Sequence, residues 1–306
     1  MGFTDVPDGV PRWLVDDHAL AEEFHALRPR LLRVAYATVG TIAEAEDCVQ
    51  EAWLRLRRLE DPATIRDLGA WLTTTVTRLA LDVLGSARAR REQYVGPWLP
   101  EPLVEDIDAR DPAERIALEE SVSMALLVTL ERLSPAERTA FVLHDVFGLS
   151  FTEAGEVLGR SAAAVRQLAS RARRHVEAGR PRFPPTHAEQ RAVVAAFATA
   201  CEQGDVEQLV QLLDPDVVWR GDGGGKVTAL HRILRGRSEV VRGLLPFARR
   251  ASRGTVLAEV NDSPGLVLRD SAGILTVVAF TVDSGRIAAI DAVRNPDKLR
   301  SVRFEG

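Results

Sequence analysis

The stretch from Leu133 to Arg174, LSPAERTAFVLHDVFGLSFTEAGEVLGRSAAAVRQLASRARR, constrains this chain most, because three helix starts and two glycine stops lie within it. Ser134 and Pro135 followed by Glu137 read as an N-cap, a first helical position and a first-turn acid. Phe141, Val142, Asp145, Val146 and Phe147 continue that helix until Gly148. Ser150 with Glu153 three residues on is a capping box, and this second, short helix stops at Gly159. Ser161 then caps a third helix starting at Ala162. Val165, Leu168, Ala169, Ala172 and Val176 share one face of it, while Gln167, Ser170, Arg171 and Arg174 share another. A short helix, a tight turn and a longer helix with an arginine face are the parts of a helix-turn-helix presenting its last helix to a major groove. Arg and Gln read guanine and adenine edges, while Ser and further arginines suit phosphates, so Ser161, Arg166, Gln167, Ser170, Arg171 and Arg174 form the candidate duplex-reading set. The competing interpretation is a helical bundle with a solvated arginine face. Small residues at Ala154, Gly155 and Gly159, which let helices approach closely, weigh against it.

The 306 residues leave room for about two or three compact domains. A composition of 46% hydrophobic and 27% charged residues, with no apolar run near the membrane-spanning length, suggests a cytoplasmic protein. Cys48 and Cys201 stand far apart in helical patterns, so neither a disulfide nor a zinc site is expected. The net charge of −5 hides a segregated distribution. Seven arginines face one acid between Arg160 and Arg182, whereas eight acids face two arginines between Glu101 and Glu120. The lysines are Lys226 and Lys298 alone.

Along the chain, residues 1–16 read as a loose tail rich in Pro, Gly and Asp. Leu20, Phe24, Leu27, Leu31, Leu32, Val34, Ala35 and Tyr36 form a first amphipathic helix. In a second, Cys48, Val49, Ala52, Leu54 and Leu56 are expected inward and Asp47, Gln50 and Glu51 outward. A third helical run from Leu68 carries Trp71, several threonines and the Arg88, Arg90, Arg91 cluster. That mixture suits single-stranded nucleic acid, although Trp71 serves equally well in a core.

The segments AEDCVQEAWLRL, WLTTTVTRLALD and the helix-turn-helix stretch, in this order over about residues 18–178, resemble the extracytoplasmic-function (ECF) group of bacterial sigma factors, the promoter-specificity subunits of RNA polymerase. The resemblance implies that Asp47, Gln50 and Glu51 dock on the polymerase clamp helices. It implies that Trp71, Thr75, Arg78, Arg88, Arg90 and Arg91 bind and open the −10 element. It further implies that the helix from Ser161 reads the −35 element beside the polymerase flap. Leu79 after Arg78, where many relatives have Asn, and Gly85 in a usually basic stretch depart from the pattern and bear on −10 preference. The Pro-rich Tyr94–Pro102 segment and the acids after it read as an extended linker. Under the resemblance, its acidity fits a polymerase channel that otherwise carries RNA.

Beyond the linker at 179–187, two helices (Ala188–Cys201 and Val206–Leu213) precede a series of strand patterns. Those strands are Val217–Arg220, Thr255–Val260, Gly265–Arg269, Ile274–Phe280 and Ile287–Val293, with one intervening helix at Ser238–Arg249 and hairpin turns at Asn261–Gly265 and Asp283–Gly285. The expected fold class is therefore multidomain: two all-α sigma domains, the second a helix-turn-helix, and then an α+β cone with a curved antiparallel sheet. This cone resembles the SnoaL-like fold of polyketide cyclases and ketosteroid isomerases. Expected boundaries are 17–92 for sigma region 2, 93–118 for the linker, 119–178 for sigma region 4 and 188–303 for the cone. Asp222 or Asp291 with His231 could form an acid/base site, but fold alone carries no function. We assign no catalytic residue, metal ligand or cofactor from the sequence.

WLPEP, DGGGK and NPDKL together resemble the ECF subgroup with a fused SnoaL-like domain, in which that domain regulates the sigma domains in cis. This implies a regulatory set of Trp98, Pro100, Asp222, Gly223, Gly224, Gly225, Lys226, Asn295, Asp297 and Lys298. Both lysines and the glycine loop are expected against Trp98–Pro100 or the Asp82–Arg91 region. Three glycines in a row require either flexibility or close backbone approach, and their amides can nest an anion or an acidic side chain. The expected partners are RNA polymerase core, promoter DNA and a small ligand of unknown identity in the cone, with no membrane and a monomeric free state. The alternatives are a one-component helix-turn-helix regulator with a ligand-binding cone, and a SnoaL-type isomerase or cyclase fused to a DNA-binding domain. Neither needs the Asp47/Gln50/Glu51 helix or the Trp71–Arg91 stretch.

Overall fold

A computed structural model of the chain describes residues 17–59, 64–92, 94–105, 122–179, 185–230, 232–248 and 254–302. The tail at 1–16, the acidic stretch at 106–121 and His231 lie outside the described residues. Contacts divide the chain into two compact units. The first takes the chain up to Gly85 and again Pro135–Arg171; the second takes Ser86–Ser134 and Ala172–Gly306.

In the first unit α1 (Asp17–Val39), α2 (Ile42–Arg57) and α3 (Leu68–Glu92, which crosses the division at Gly85) follow the three helical patterns. Leu20, Phe24, Leu31, Cys48, Val49, Ala52, Leu56, Leu72 and Val76 are buried. Leu54 is a correction. It is 39% exposed, because at seven residues from Asp47 and four from Gln50 it belongs to the polar stripe of α2, not the apolar one.

The helix-turn-helix is built from local signals. In chain order, α4 (Met124–Leu130) falls in the second unit and α5 (Pro135–Phe141) opens the motif. A single π-helical turn at Val142–Val146 extends it, with Gly148 at φ 72°. In α6 (Phe151–Leu158) the Ser150 hydroxyl accepts from the Glu153 amide while the Glu153 carboxylate accepts from the Ser150 amide. Gly159 ends α6 in the left-handed region at φ 62°. The Ser161 hydroxyl accepts from the Ala164 amide (3.3 Å) at the start of α7 (Ala162–Gly179). Ala140, Leu143, Ala154, Val157, Val165 and Ala169 pack into one core with Val34 of α1.

The second unit is a layered α+β structure. α8 (His187–Gln203) starts in a Thr186–Glu189 capping box, and α9 (Val206–Leu212) starts at Asp205. They precede β2 (Leu213–Asp222), β3 (Leu234–Arg235), α10 (Arg237–Ala248), β4 (Val256–Val260), β5 (Ser263–Arg269), β6 (Leu275–Asp283) and β7 (Arg286–Val293). Turns Asn261-Asp262 and Ser284-Gly285, both residues at positive φ in each, close the two expected hairpins.

The arrangement is the cone expected from the pattern, with two differences. The sheet is mixed: β2 runs parallel to β7, pairing Trp219 with Ile290 and Asp222 with Val293. β6 and β7 share a two-residue turn and must be antiparallel, whereas the chain between β2 and β7 is long enough to allow either direction. Moreover, the linker supplies a strand. β1 (Val104–Glu105) pairs antiparallel with β4, giving the order β1-β4-β5-β6-β7-β2-β3.

Both faces of this sheet are covered. Leu266, Val278, Phe280 and Ile290 face α8, α9 and α10. Val260, Val267, Val277, Ala279 and Val293 face Leu99 of the linker, Met124 and Val128 of α4, and Leu299. Successive residues Val277 to Phe280 thus alternate between two cores, which is why their sequence is unbroken in its apolarity.

Gly155 offers a test of the helix-turn-helix packing. Ala ordinarily exceeds Gly in helix propensity by about 1 kcal/mol. Here an added Cβ would sit 2.6 Å from the Arg160 carbonyl oxygen. Gly155→Ala is expected to lose about 1–3 kcal/mol, read as a lower denaturation midpoint; an unchanged or raised midpoint contradicts the close packing.

Candidate functional site

The sequence-derived residues fall into three surfaces and one buried cluster. On α7 the apolar stripe Val165, Ala169, Ala172 and Val176 is buried, and Ser161, Arg166, Gln167, Ser170, Arg171 and Arg174 are exposed. The Arg166 guanidinium lies over the Phe151 ring at 4.9 Å from its centroid, a cation–π contact that orients it from the turn. The face can offer guanidinium forks, an amide and a hydroxyl to a groove.

On α2, Asp47 and Gln50 are exposed and Glu51 half-buried, with Glu51 accepting from Arg55 Nε at 3.0 Å. Leu54 stands in the same stripe, giving an acidic face with one apolar contact. On α3, Trp71 and Thr75 are half-buried, and the Thr75 hydroxyl donates to the Trp71 carbonyl at 2.9 Å. Arg78 Nε donates to the Val157 carbonyl (3.1 Å) and Nη2 to that of Glu156 (2.8 Å). A cation thus meets the negative end of α6, so α3 and the helix-turn-helix are joined within the first unit. Arg138, 1% exposed, donates from Nε to the Ala37 carbonyl at the end of α1 (2.9 Å) and makes a second such joint. The backbone of Arg88, Arg90 and Arg91 belongs to α3; their side chains lie outside the described residues.

The buried cluster centres on Asp222 at the end of β2, which is fully buried. Its Oδ2 accepts from the Leu99 amide (2.9 Å) and Lys298 Nζ (2.8 Å). Its Oδ1 accepts from the Gly224 amide (3.0 Å) and the Tyr94 hydroxyl. Its carbonyl takes the amides of Arg294 (2.7 Å) and Asn295 (3.0 Å). Lys298 also donates to the Leu99 carbonyl and lies over the Trp98 ring, 3.9 Å from its centroid. Asn295 donates from Nδ2 to the Tyr94 oxygen (2.8 Å) and accepts on Oδ1 from the Asp297 amide (3.1 Å), holding the 3₁₀ turn Pro296–Lys298. Burial, then the hydrogen bond to Asp222 and its charge, push the Tyr94 phenol far above its usual value. It therefore serves as a hydrogen-bond donor, not as an acid.

The three glycines are explained by close approach. A Cβ on Gly223 would lie 2.6 Å from the Val227 carbonyl oxygen, and one on Gly224 (φ 62°) 2.5 Å from Asn295 Cγ. One on Gly225 (φ 69°) would lie 3.1 Å from Val95 Cβ of the linker. The acid held by this loop is its own Asp222. Lys226 pairs with Asp297. The hydrogen bonds from Lys226 and then Arg300 hold the Asp297 carboxyl below the usual range.

Tyr94 and Leu99 were missed by sequence reasoning. The tyrosine is an isolated aromatic before a Pro-rich segment, and Leu99 acts through its backbone as well as its side chain. No local signal marks either role. Asp291 is bound bidentately by Arg220 through Nε and Nη2.

Residues 24–91 match Sigma-70 region 2 and residues 123–176 match Sigma-70, region 4. The chain is 45% identical over 295 residues to the ECF RNA polymerase sigma factor SigJ of Mycobacterium tuberculosis, covering 90% of this chain and 92% of that one. The chain belongs to the ECF RNA polymerase sigma factor family. It is also 35% identical over 288 residues to the probable ECF RNA polymerase sigma factor SigI of Mycobacterium tuberculosis (92% of this chain, 95% of that one). The crystal structure of Mycobacterium tuberculosis SigJ superposes with a TM-score of 0.76 at 40% identity, covering 93% of this chain and all of the other.

As a sigma factor it directs promoter-specific transcription initiation, and sigma factors bind RNA polymerase core and promoter DNA. Among the described residues no helix is long and apolar enough to cross a membrane.

The Asp222–Lys298 pair yields a stability test. Lys298→Met leaves a buried carboxylate without its counter-charge and is expected to cost about 3–5 kcal/mol. Lys298→Met combined with Asp222→Asn is expected to cost clearly less than the sum of the two single changes in a denaturation double-mutant cycle. Strict additivity would show that the two side chains are not coupled.

Proposed function

We propose that this sigma factor engages RNA polymerase core through the α2 stripe of Asp47, Gln50 and Glu51, on the clamp helices. The α3 set of Trp71, Thr75, Arg78, Arg88, Arg90 and Arg91 binds and opens the −10 element, and α7 reads the −35 element through Ser161, Arg166, Gln167, Ser170, Arg171 and Arg174 beside the flap. Residues 17–92 act as region 2, 93–118 as linker, 119–178 as region 4 and 188–303 as a regulatory cone. The protein works in the cytoplasm, where polymerase is.

The cone regulates these parts in cis and is not an enzyme. The observation that carries this reading is the Asp222 cluster. A fully buried carboxylate is satisfied by Tyr94 and Leu99 of the linker together with Lys298 of the cone. Withdrawing the linker would strand a charge, so the linker's position and the cone's integrity are one equilibrium. Occupation of Asp222 and Asp291 by structural partners supports the absence of an acid/base site.

The reading is tested by run-off transcription from a promoter selected by the full-length protein. Asp47→Ala with Glu51→Ala is expected to cut initiation at least tenfold while duplex binding persists. Asp222→Asn is expected to change the initiation rate threefold or more, with core affinity unchanged. Equal rates for a folded Asp222→Asn protein would remove the cis-regulatory role, and persistent core binding by the α2 variant would remove the docking assignment.

A further inference from the structure

Side chains from three successive elements of the helix-turn-helix meet at one ring. His144 stands in the π-helical turn Val142–Val146, Phe151 is the first residue of α6, and Arg166 lies in the first half of α7. The His144 imidazole stacks on the Phe151 ring, with centroids 3.8 Å apart and planes 28° from parallel. The Arg166 guanidinium lies over the same ring, 4.9 Å from its centroid.

Local contacts fix the ring on which Arg166 rests. His144 Nδ1 is 2.7 Å from the Leu149 carbonyl oxygen. A carbonyl can only accept, so Nδ1 carries the proton and the imidazole is pinned to the backbone ahead of α6. The Leu149 amide in turn donates to the Leu143 carbonyl at 3.0 Å. Phe151 itself is half-buried and packs on the core that contains Val157 and Val165. Its backbone is set by the Ser150–Glu153 capping box, which also engages the acid nearest to Phe151 in the chain.

Arg78 and Arg166 are held in different ways. Arg78 commits donors to two carbonyls of α6. Arg166 rests on a ring, which attracts the cation but has no oxygen to occupy its N–H groups. Among the described residues the Arg166 side chain has no hydrogen bond or ion pair, and it is exposed. A long side chain ordinarily loses rotamer freedom when an interface immobilises it. Arg166 is already confined, and its five donors remain available. It also stands in the part of a recognition helix that meets base edges, where a guanidinium fork suits the O6 and N7 acceptors of guanine.

We propose that Phe151, with His144 stacked on it, is a positioning residue for sequence discrimination at the −35 element, holding the Arg166 guanidinium in place for a base edge. This rests on the reading that α7 recognises the −35 element through Arg166.

The test uses the full chain with core polymerase on a promoter selected by the full-length protein, and on the same promoter with its −35 element scrambled. The quantity read is the ratio of the two run-off rates, in which the amount of active protein cancels. Phe151→Leu, which keeps an apolar side chain but removes the π face, is expected to lower the ratio about fivefold. Phe151→Tyr, which keeps that face, is expected to hold it within about twofold. Arg166→Ala is expected to lower the ratio at least as far as Phe151→Leu, and the double variant no further than Arg166→Ala alone. If Phe151→Leu does not fold, Phe151→Met takes its place. A ratio that falls with Arg166→Ala but not with Phe151→Leu, or that Phe151→Leu lowers by the same factor with and without Arg166, overturns the positioning role alone. Arg166→Ala slowing both promoters equally would mark a phosphate contact and overturn the base-edge assignment. Both rates unmoved by Arg166→Ala would remove Arg166 from the −35 reading and this inference with it.

Discussion

An ionised carboxylate cannot be left in a protein interior without compensation, and Asp222 is fully buried. Its four donors come from three separated places: Tyr94 and Leu99 in the linker, Gly224 in the adjoining loop and Lys298 near the end of the described chain. Each of these places is shaped to reach it. Tyr94 is further held by Asn295, Leu99 is buried among sheet residues, and the loop bends through two left-handed glycines. The same charge that would destabilise a cone standing alone becomes the reason that linker and cone form one unit.

The sheet depends on that union as well. A half-buried antiparallel sheet alternates apolar and polar residues, but β6 reads Thr-Val-Val-Ala-Phe and needs apolar cover on both sides. The helices α8, α9 and α10 provide one cover. Leu99, α4 and Leu299 provide the other, and β1 extends the edge beyond β4. Burying Leu99 alone is worth about 1.5–3 kcal/mol, added to the hydrogen bond its amide makes with Asp222. The first helix of the matched region 4 is therefore a structural part of the second unit, while α5 and α6 belong to the first.

In the first unit, nucleic-acid candidates double as structural contacts. Arg78 satisfies two carbonyls at the C-terminal end of α6, and Arg166 rests on Phe151 of the turn. A guanidinium has donors enough to hold backbone oxygens in one state and phosphates or bases in another. Whether such a residue faces nucleic acid or protein is a property of the assembly, not of its helix.

What the sequence determined by itself is the local structure. Ser150 with Glu153, Gly148, Gly159, Ser161, and the turns at Asn261-Asp262 and Ser284-Gly285 each act within about four residues, so their effect is written where they stand. The buried stripe of α7 followed from helical period in the same way. The residues of three motif segments, met in order along the chain, carried the resemblance to ECF sigma factors. Tertiary structure decided the rest: the parallel pairing of β2 with β7, the strand taken from the linker, the pairing of Lys226 with Asp297 and the roles of Tyr94 and Leu99. Each depends on partners far apart in the chain, 128 residues for Tyr94 and Asp222 and 71 for Lys226 and Asp297. At such separations the alternatives differ by packing and charge compensation that no local pattern encodes.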